Sequence, residues 1–243
     1  MLTEIDWIVV PGGPGMSSKY LEIALSKPFN RCKLHYYTIH GAPESIEKNP
    51  DIETMVEQIF HVAKKANLKN YGLITHSFGN YLALRAIEKN TNIKAIIMLN
   101  PIPFTFKGWK SGLANIVNKV PEKILNQIGS LAVKPDMGME LFRTIYPYYT
   151  GSENSILPID VSLDLQVCNT ISAKITNFDD RDLVNSTSIP LIRISGEEDP
   201  FFDDKEMLSN QTLVISNAGH YPFFETPNKF SEAINKTGDL LCR

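Results

Sequence analysis

The stretch Tyr71-Gly72-Leu73-Ile74-Thr75-His76-Ser77-Phe78-Gly79 decides how this sequence is read. Tyr71 to Thr75 is a short apolar run suited to a buried strand, and Phe78 to Lys89 has helical spacing. Between them stands a serine, with a glycine two residues on. This is the G-x-S-x-G layout of a nucleophile elbow, with Thr75 in the first glycine position. The turn is sharp, and the helix doubles back close to the strand. Large side chains two residues either side of the serine would collide. Such a turn lifts the hydroxyl to the sheet edge and points the helix N-terminus at it. An ordinary strand-turn-helix containing a serine has the same local pattern, so the rest of the chain must decide.

Outward from the elbow, short β-rich runs alternate with helical patterns, as in an α/β protein with a mostly parallel sheet. Ile5 to Val10 is the first run, stopped by Pro11-Gly12-Gly13-Pro14-Gly15. Ser17 or Ser18 then caps a helix to about Ser26. Lys33 to Ile39 is the next strand, and Asp51 to Ala66 the next helix. Ile93 to Leu99 reads as a buried central strand ended by Asn100-Pro101. After Pro103 the alternation breaks, and residues 104–186 hold no clear strand. It resumes with Ile189 to Ser195, a helix near Asp203 to Leu208, a strand at Thr212 to Ser216 and a helix from Pro227 to Lys236. The expected organisation is a body of residues 1–103 and 187–243 with a helical lid over 104–186. The insertion leaves after a strand and returns before one, so it should cover the carboxyl edge of the sheet, where ligands bind.

Composition narrows the class. The 243 residues are 43% hydrophobic and 21% charged, enough for a sizeable core and without the bias of a disordered chain. The formal charge of −3 lacks the basic excess of a nucleic-acid binder, and Lys64-Lys65 reads as a solvated helix face. Cys32, Cys168 and Cys242 are scattered, with no metal-ligand spacing, so neither a disulfide framework nor a metal is expected. Glu4 and Asp6 stand where a signal peptide would want basic residues, and no apolar run approaches a bilayer-crossing length. A cytoplasmic protein without membrane association is the expectation.

A nucleophilic serine needs a base and an orienting acid, and with an elbow of this kind the chain order is serine, acid, histidine. Asp199 falls just past the Ile189 to Ser195 strand, and His220 follows the last strand in Asn217-Ala218-Gly219-His220. Of the five histidines, His220 alone lies after Asp199. His35 lies in a strand, His61 in a helix, and His40 precedes both acid and serine. His76 adjoins the nucleophile, so its side chain should point away from it. Singly, Asp199 is also readable as a helix N-terminal acid and His220 as a loop histidine. Together with Ser77 they sit at three strand ends in the required order. An oxyanion hole needs backbone N–H groups. Phe78 would supply one. Pro11 and Pro14 have none, so Gly12 or Gly13 supplies the other, with Gly13 the better candidate.

These residues resemble the α/β-hydrolase superfamily over nearly the whole chain. Gly12-Gly13-Pro14-Gly15 is similar to the HGGPG loop of the proline-iminopeptidase-like branch, with Pro11 in place of histidine. Asp182-Leu183, Ile189-Pro190, Gly196 and Asp199 resemble the superfamily's return from the lid. Gly219-His220, Glu225, Pro227 and Phe230 resemble its ending. The resemblance implies Ser77 as nucleophile, His220 as base and Asp199 as orienting acid. The superfamily's N-terminal antiparallel hairpin has no chain here. The expected fold is therefore a trimmed, six-stranded parallel sheet of order 2-1-3-4-5-6, with an edge strand that could pair two copies.

The insertion carries Phe104, Phe106, Trp109, Phe142, Tyr146, Tyr148 and Tyr149. Trp109, Phe142 and Tyr146 are the candidates to line a substrate pocket, although many of these rings should simply pack the lid onto the body. Glu140, Glu153, Asp160 and Asp164 could meet a peptide α-ammonium, but solvated surface is their plainer role. The expected function is a cofactor-free serine hydrolase for a small or medium acyl ester, thioester or amide. An iminopeptidase, a lyase or carbon–carbon hydrolase on the same residues, and a non-catalytic small-molecule receptor are the alternatives.

Overall fold

A computed structural model describes residues 5–37, 51–152, 156–159, 161–203 and 211–241. The strands are β1 (Asp6–Val10), β2 (Leu34–Tyr36), β3 (Tyr71–His76), β4 (Ile93–Leu99), β5 (Leu191–Gly196) and β6 (Thr212–Ile215). They form one six-stranded sheet of order β2-β1-β3-β4-β5-β6. Every neighbouring pair is parallel. The topology is the one expected from the alternation of patterns. β2 is shorter than expected, and residues 38 and 39 of that expected strand lie outside the described residues.

Parallel strands need crossover helices, and those helices bury both faces of the sheet. Alternate residues therefore serve two cores. Ile8, Val10, Leu73, Ile96 and Met98 face one. Onto them pack Met55, Val56 and Ile59 of α2 (Ile52–Lys65), and Leu82, Ala83 and Ala86 of α3 (Gly79–Lys89). Trp7, Val9, Ile74, Ile97 and Ile194 face the other. Onto them pack Tyr20, Leu21 and Leu25 of α1 (Lys19–Leu25), and Phe230, Ala233 and Ile234 of a C-terminal helix (Pro227–Leu241). That last helix continues beyond the expected Lys236. The helix expected near Asp203 to Leu208 falls, past Asp203, outside the described residues. α2 starts where a capping box fixes it. Thr54 N–H donates to Asp51 Oδ1 at 2.7 Å, and Asp51 N–H donates to Thr54 Oγ1 at 3.0 Å.

β1 and β3 are neighbours although β2 lies between them in sequence, so the direction of winding reverses there. The loops after β1 and β3 consequently leave the same edge side by side, with Val10 paired to Thr75. A switch point of this kind is where open α/β sheets hold ligands.

Between β4 and β5 the described chain is helical: α4 (Phe106–Lys119), α5 (Glu122–Ala132), α6 (Gly138–Ile145), α7 (Leu165–Lys174) and α8 (Arg181–Ser186). Its entry and exit are tied together, since Phe106 N–H donates to Phe178 O and Asp180 N–H to Phe104 O. Its apolar residues join both sheet cores: Ile171 and Phe178 on one side, Phe142 and Tyr146 on the other. A small cluster of Ile116, Val120 and Phe201 adds a third. Among the described residues, no helix is long and apolar enough to cross a membrane.

The return to the sheet is held by Arg85 of α3. Its guanidinium donates to both oxygens of Asp180, at 2.8 and 3.1 Å, and lies 3.4 Å from the centre of the Tyr81 ring. Asp180 is buried, so loss of Arg85 would strand a carboxylate. Arg85→Met is expected to lower the unfolding free energy by about 2 kcal/mol, with partial recovery in Arg85→Met/Asp180→Asn. Urea unfolding measures this, and wild-type stability in the single variant would show that the pair holds nothing.

Candidate active site

Ser77 sits between β3 and α3 with φ 52°, a left-handed conformation that is uncommon for a serine. Packing enforces it. A Cβ at Gly79 would lie 2.5 Å from the carbonyl oxygen of Val10 and 2.6 Å from that of Pro11. The first turn of α3 therefore runs against the end of β1, and the chain must reverse within a residue. Ser77 N–H donates to Leu99 O at 3.1 Å, which holds the turn to β4. Thr75 fits the first small position fully buried, its hydroxyl without a hydrogen-bond partner among the described residues.

Asp199 follows β5 and is buried. Its Oδ1 accepts from Phe201 N–H at 2.9 Å, and its Oδ2 accepts from Asn100 Nδ2 at 2.7 Å. Nδ1 of His220 lies 3.0 Å from both oxygens. A carboxylate can only accept, so Nδ1 carries the proton and Nε2 remains the basic nitrogen. The ring of His220 is 1% exposed and packs against Tyr149, Phe201 and Tyr221. Its backbone N–H donates to Tyr149 O at 2.8 Å.

Two supporting residues were not read as such from the sequence. Asn100 looked like a strand stop. It has φ 43°, is fully buried, and also donates to Gly219 O at 3.0 Å, so it joins the Asp199 loop to the His220 loop. Glu225 was part of a terminal pattern only. Its carboxylate accepts from the N–H groups of Gly219 (2.8 Å), Tyr221 (2.8 Å) and Gly151 (2.9 Å), bracketing His220.

The glycine loop after β1 lies against the elbow. A Cβ at Gly12 would be 3.1 Å from Ser77 Cβ. Gly13 has φ 124°, which glycine alone adopts freely. Gly13, Ser77 and His220 all line one cavity of about 260 Å³, while the Phe78 side chain is buried in the adjoining core. Trp109 and Phe142 line the cavity. Tyr146, the third candidate, is not among the residues lining it and is buried against the rings of Phe142 and Tyr221. Among the described residues, no Asp, Glu, Lys or Arg lines the cavity. Glu140 is exposed, and Asp164 caps α7 by accepting Val167 N–H at 2.9 Å. Glu153 and Asp160, like His40, lie outside the described residues. No group of three or more His, Cys, Asp or Glu among the described residues is arranged to hold a metal ion.

No protein-family model and no curated protein matches this sequence. Solved structures do match its shape. An alpha/beta fold family hydrolase from Bacillus anthracis superposes with TM-score 0.74 at 14% identity, covering 96% of this chain and 92% of that one. The proline iminopeptidase-related protein of Thermus thermophilus gives TM-score 0.69 at 20% identity, covering 96% and 89%. A thermophilic esterase from Thermogutta terrifontis gives 0.66 at 16%, covering 98% and 90%. The chain has the α/β-hydrolase fold. On that fold Ser77, Asp199 and His220 follow β3, β5 and β6, and all three belong to the carboxyl edge of the sheet.

The α/β-hydrolase fold leaves Asn100 at the end of β4, between the other strand ends, where it can reach both loops. Asn100→Ala is expected to cost about 2–4 kcal/mol, from the lost charge-assisted bond and the strained backbone together. Asn100→Gly tolerates the backbone and should lose less. Denaturant midpoints of the two variants test this, and near-wild-type stability in both would remove Asn100 from the support of Asp199.

Proposed function

We propose that the protein is a serine hydrolase that cleaves a neutral ester, thioester or amide with a small or medium apolar acyl part. One observation carries the reading. A serine in a left-handed elbow and a histidine held by a buried carboxylate open on the same cavity, whose described lining carries no Asp, Glu, Lys or Arg. In this reading Nε2 of His220 takes the Ser77 proton as Oγ attacks the carbonyl carbon. Asp199 holds the imidazole tautomer and stabilises the imidazolium. The negative oxygen of the tetrahedral intermediate receives the N–H groups of Gly13 and Phe78. His220 returns its proton to the leaving group. Water, deprotonated in turn by His220, then releases the acid and restores Ser77.

The helical segment 104–186 acts as the lid in this reading. Trp109 and Leu113 of α4 and Phe142 of α6 meet the acyl part. An iminopeptidase is less well supported, because a peptide α-ammonium entering this cavity would find no carboxylate among its described lining residues.

A panel of neutral acyl esters, thioesters and amino-acyl amides, with a fluorophosphonate probe, tests the assignment. Wild type should be labelled and should prefer neutral acyl substrates. Ser77→Ala should lose labelling and fall on the order of 10⁶-fold in turnover. Turnover of Ser77→Ala within about tenfold of wild type would remove the nucleophile from the mechanism.

A further inference from the structure

The residue beside the nucleophile has no part in that reaction, yet it is buried and doubly bonded. Nε2 of His76 lies 3.1 Å from the backbone carbonyl of His220, and Nδ1 lies 2.7 Å from the Tyr20 hydroxyl. A carbonyl only accepts, so Nε2 carries the proton. Burial, reinforced by the nearby His220, holds the ring well below the ordinary histidine range, so it is neutral and Nδ1 is bare. The Tyr20 hydroxyl must therefore donate to Nδ1. Burial also pushes the Tyr20 phenol far above its usual value, so it keeps its proton. Its oxygen is left to accept, and the N–H of Gly12 donates to it at 2.8 Å.

Each bond in the chain thus has one direction, from Gly12 N–H through Tyr20 and His76 to the carbonyl of His220. One end is the residue before Gly13. The other is the backbone of the base itself. The rings of Tyr221 and Phe223, centred 5.1 and 5.3 Å from that of His76, enclose the chain in apolar surroundings. Polar bonds are strong there, and a missing partner is costly. The loop has little slack, since a Cβ at Gly12 would stand 3.0 Å from Nδ1 of His76.

We propose that Tyr20 and His76 are positioning residues: a buried hydrogen-bonded link that sets the glycine loop after β1 against the backbone of His220. The proposal rests on the hydrolase reading above. It assigns one geometry to the Gly13 donor and the base, which would otherwise stand on loops more than two hundred residues apart in sequence. A purely structural histidine would affect stability alone. A positioning one affects the transition state, where a small misplacement of an oxyanion donor is felt in kcat rather than KM.

Tyr20→Phe keeps the ring and removes the link. With sites counted by fluorophosphonate titration, kcat on a neutral acyl ester should fall about 10- to 100-fold while KM stays within about threefold. Gly12 amide exchange, followed by NMR, should quicken at least about tenfold. His76→Leu should match that loss in kcat. His76→Gln can place an oxygen and an amide nitrogen where Nδ1 and Nε2 stand, and should keep about tenfold more kcat than His76→Leu. The Tyr20→Phe/His76→Leu double variant should lose no more than the worse single variant, as expected for one shared link. Unchanged kcat in Tyr20→Phe, unchanged Gly12 exchange, or equal kcat in the two His76 variants would each overturn the proposal. If Tyr20→Phe does not fold, the His76 pair decides. Retained turnover in Ser77→Ala would instead sink the hydrolase reading and the positioning role with it. Gly12 exchange would still report whether the link exists.

Discussion

The close approach of α3 to the end of β1 is the constraint from which the site follows. With the carbonyls of Val10 and Pro11 where a side chain at residue 79 would go, the helix can start only if the chain reverses at Ser77. A left-handed serine costs on the order of 1–3 kcal/mol, which the surrounding hydrogen bonds and the buried first turn of α3 must offset. The same approach presses the glycine loop onto Ser77. Strand order does the rest. Because β1 and β3 are neighbours, the loop and the elbow leave the sheet together.

His220 is held differently, by polar groups from several parts of the chain. Asp199 is a buried carboxylate for which no Lys or Arg partner stands among the described residues. Its charge is instead spread over the N–H groups of Phe201, Asn100 and His220. Hydrogen bonds of this kind let an acid stay dry and still orient an imidazole. Glu225 repeats the device on the peptide groups flanking His220. The elbow is thus fixed by exclusion of atoms and His220 by saturation of donors and acceptors.

That contrast explains what could be read from the sequence. The strands, their order, the elbow and the glycine loop follow from short-range patterns in residue size and hydrophobicity. The positions of Ser77, Asp199 and His220 relative to the strand ends were legible in the same way. The donors and acceptors were not. Asn100 reaches Asp199 across 99 residues and Tyr20 reaches His76 across 56, and no local pattern records either pairing. Position alone turns the His76 side chain away from Ser77 without saying what it meets, and nothing local marks Tyr20 as its partner. Aromatic density in the insertion did not say which rings face inward. Hence Trp109 and Phe142 line the cavity, while Tyr146 packs against the ring of Phe142 and is not among the lining residues.

Glu225 has a bearing on how this architecture could be recombined. One of its oxygens is shared between Gly219, beside His220, and Gly151, in the segment between β4 and β5. The contact from that segment is a peptide N–H, so backbone path matters greatly; a side chain at residue 151 would also have to displace Glu198, whose Oε2 stands 2.6 Å from where its Cβ would go. A transplanted insertion of unrelated sequence could satisfy it with glycine at that point, or with another residue except proline if the Glu198 side chain swings aside, provided the chain passed through the same place. An insertion longer or shorter by one residue there would leave the carboxylate short of a donor and slacken the loop of His220. Chimeras of this fold should therefore be spliced by matching the trace at residue 151, ahead of any match in the aromatic lining.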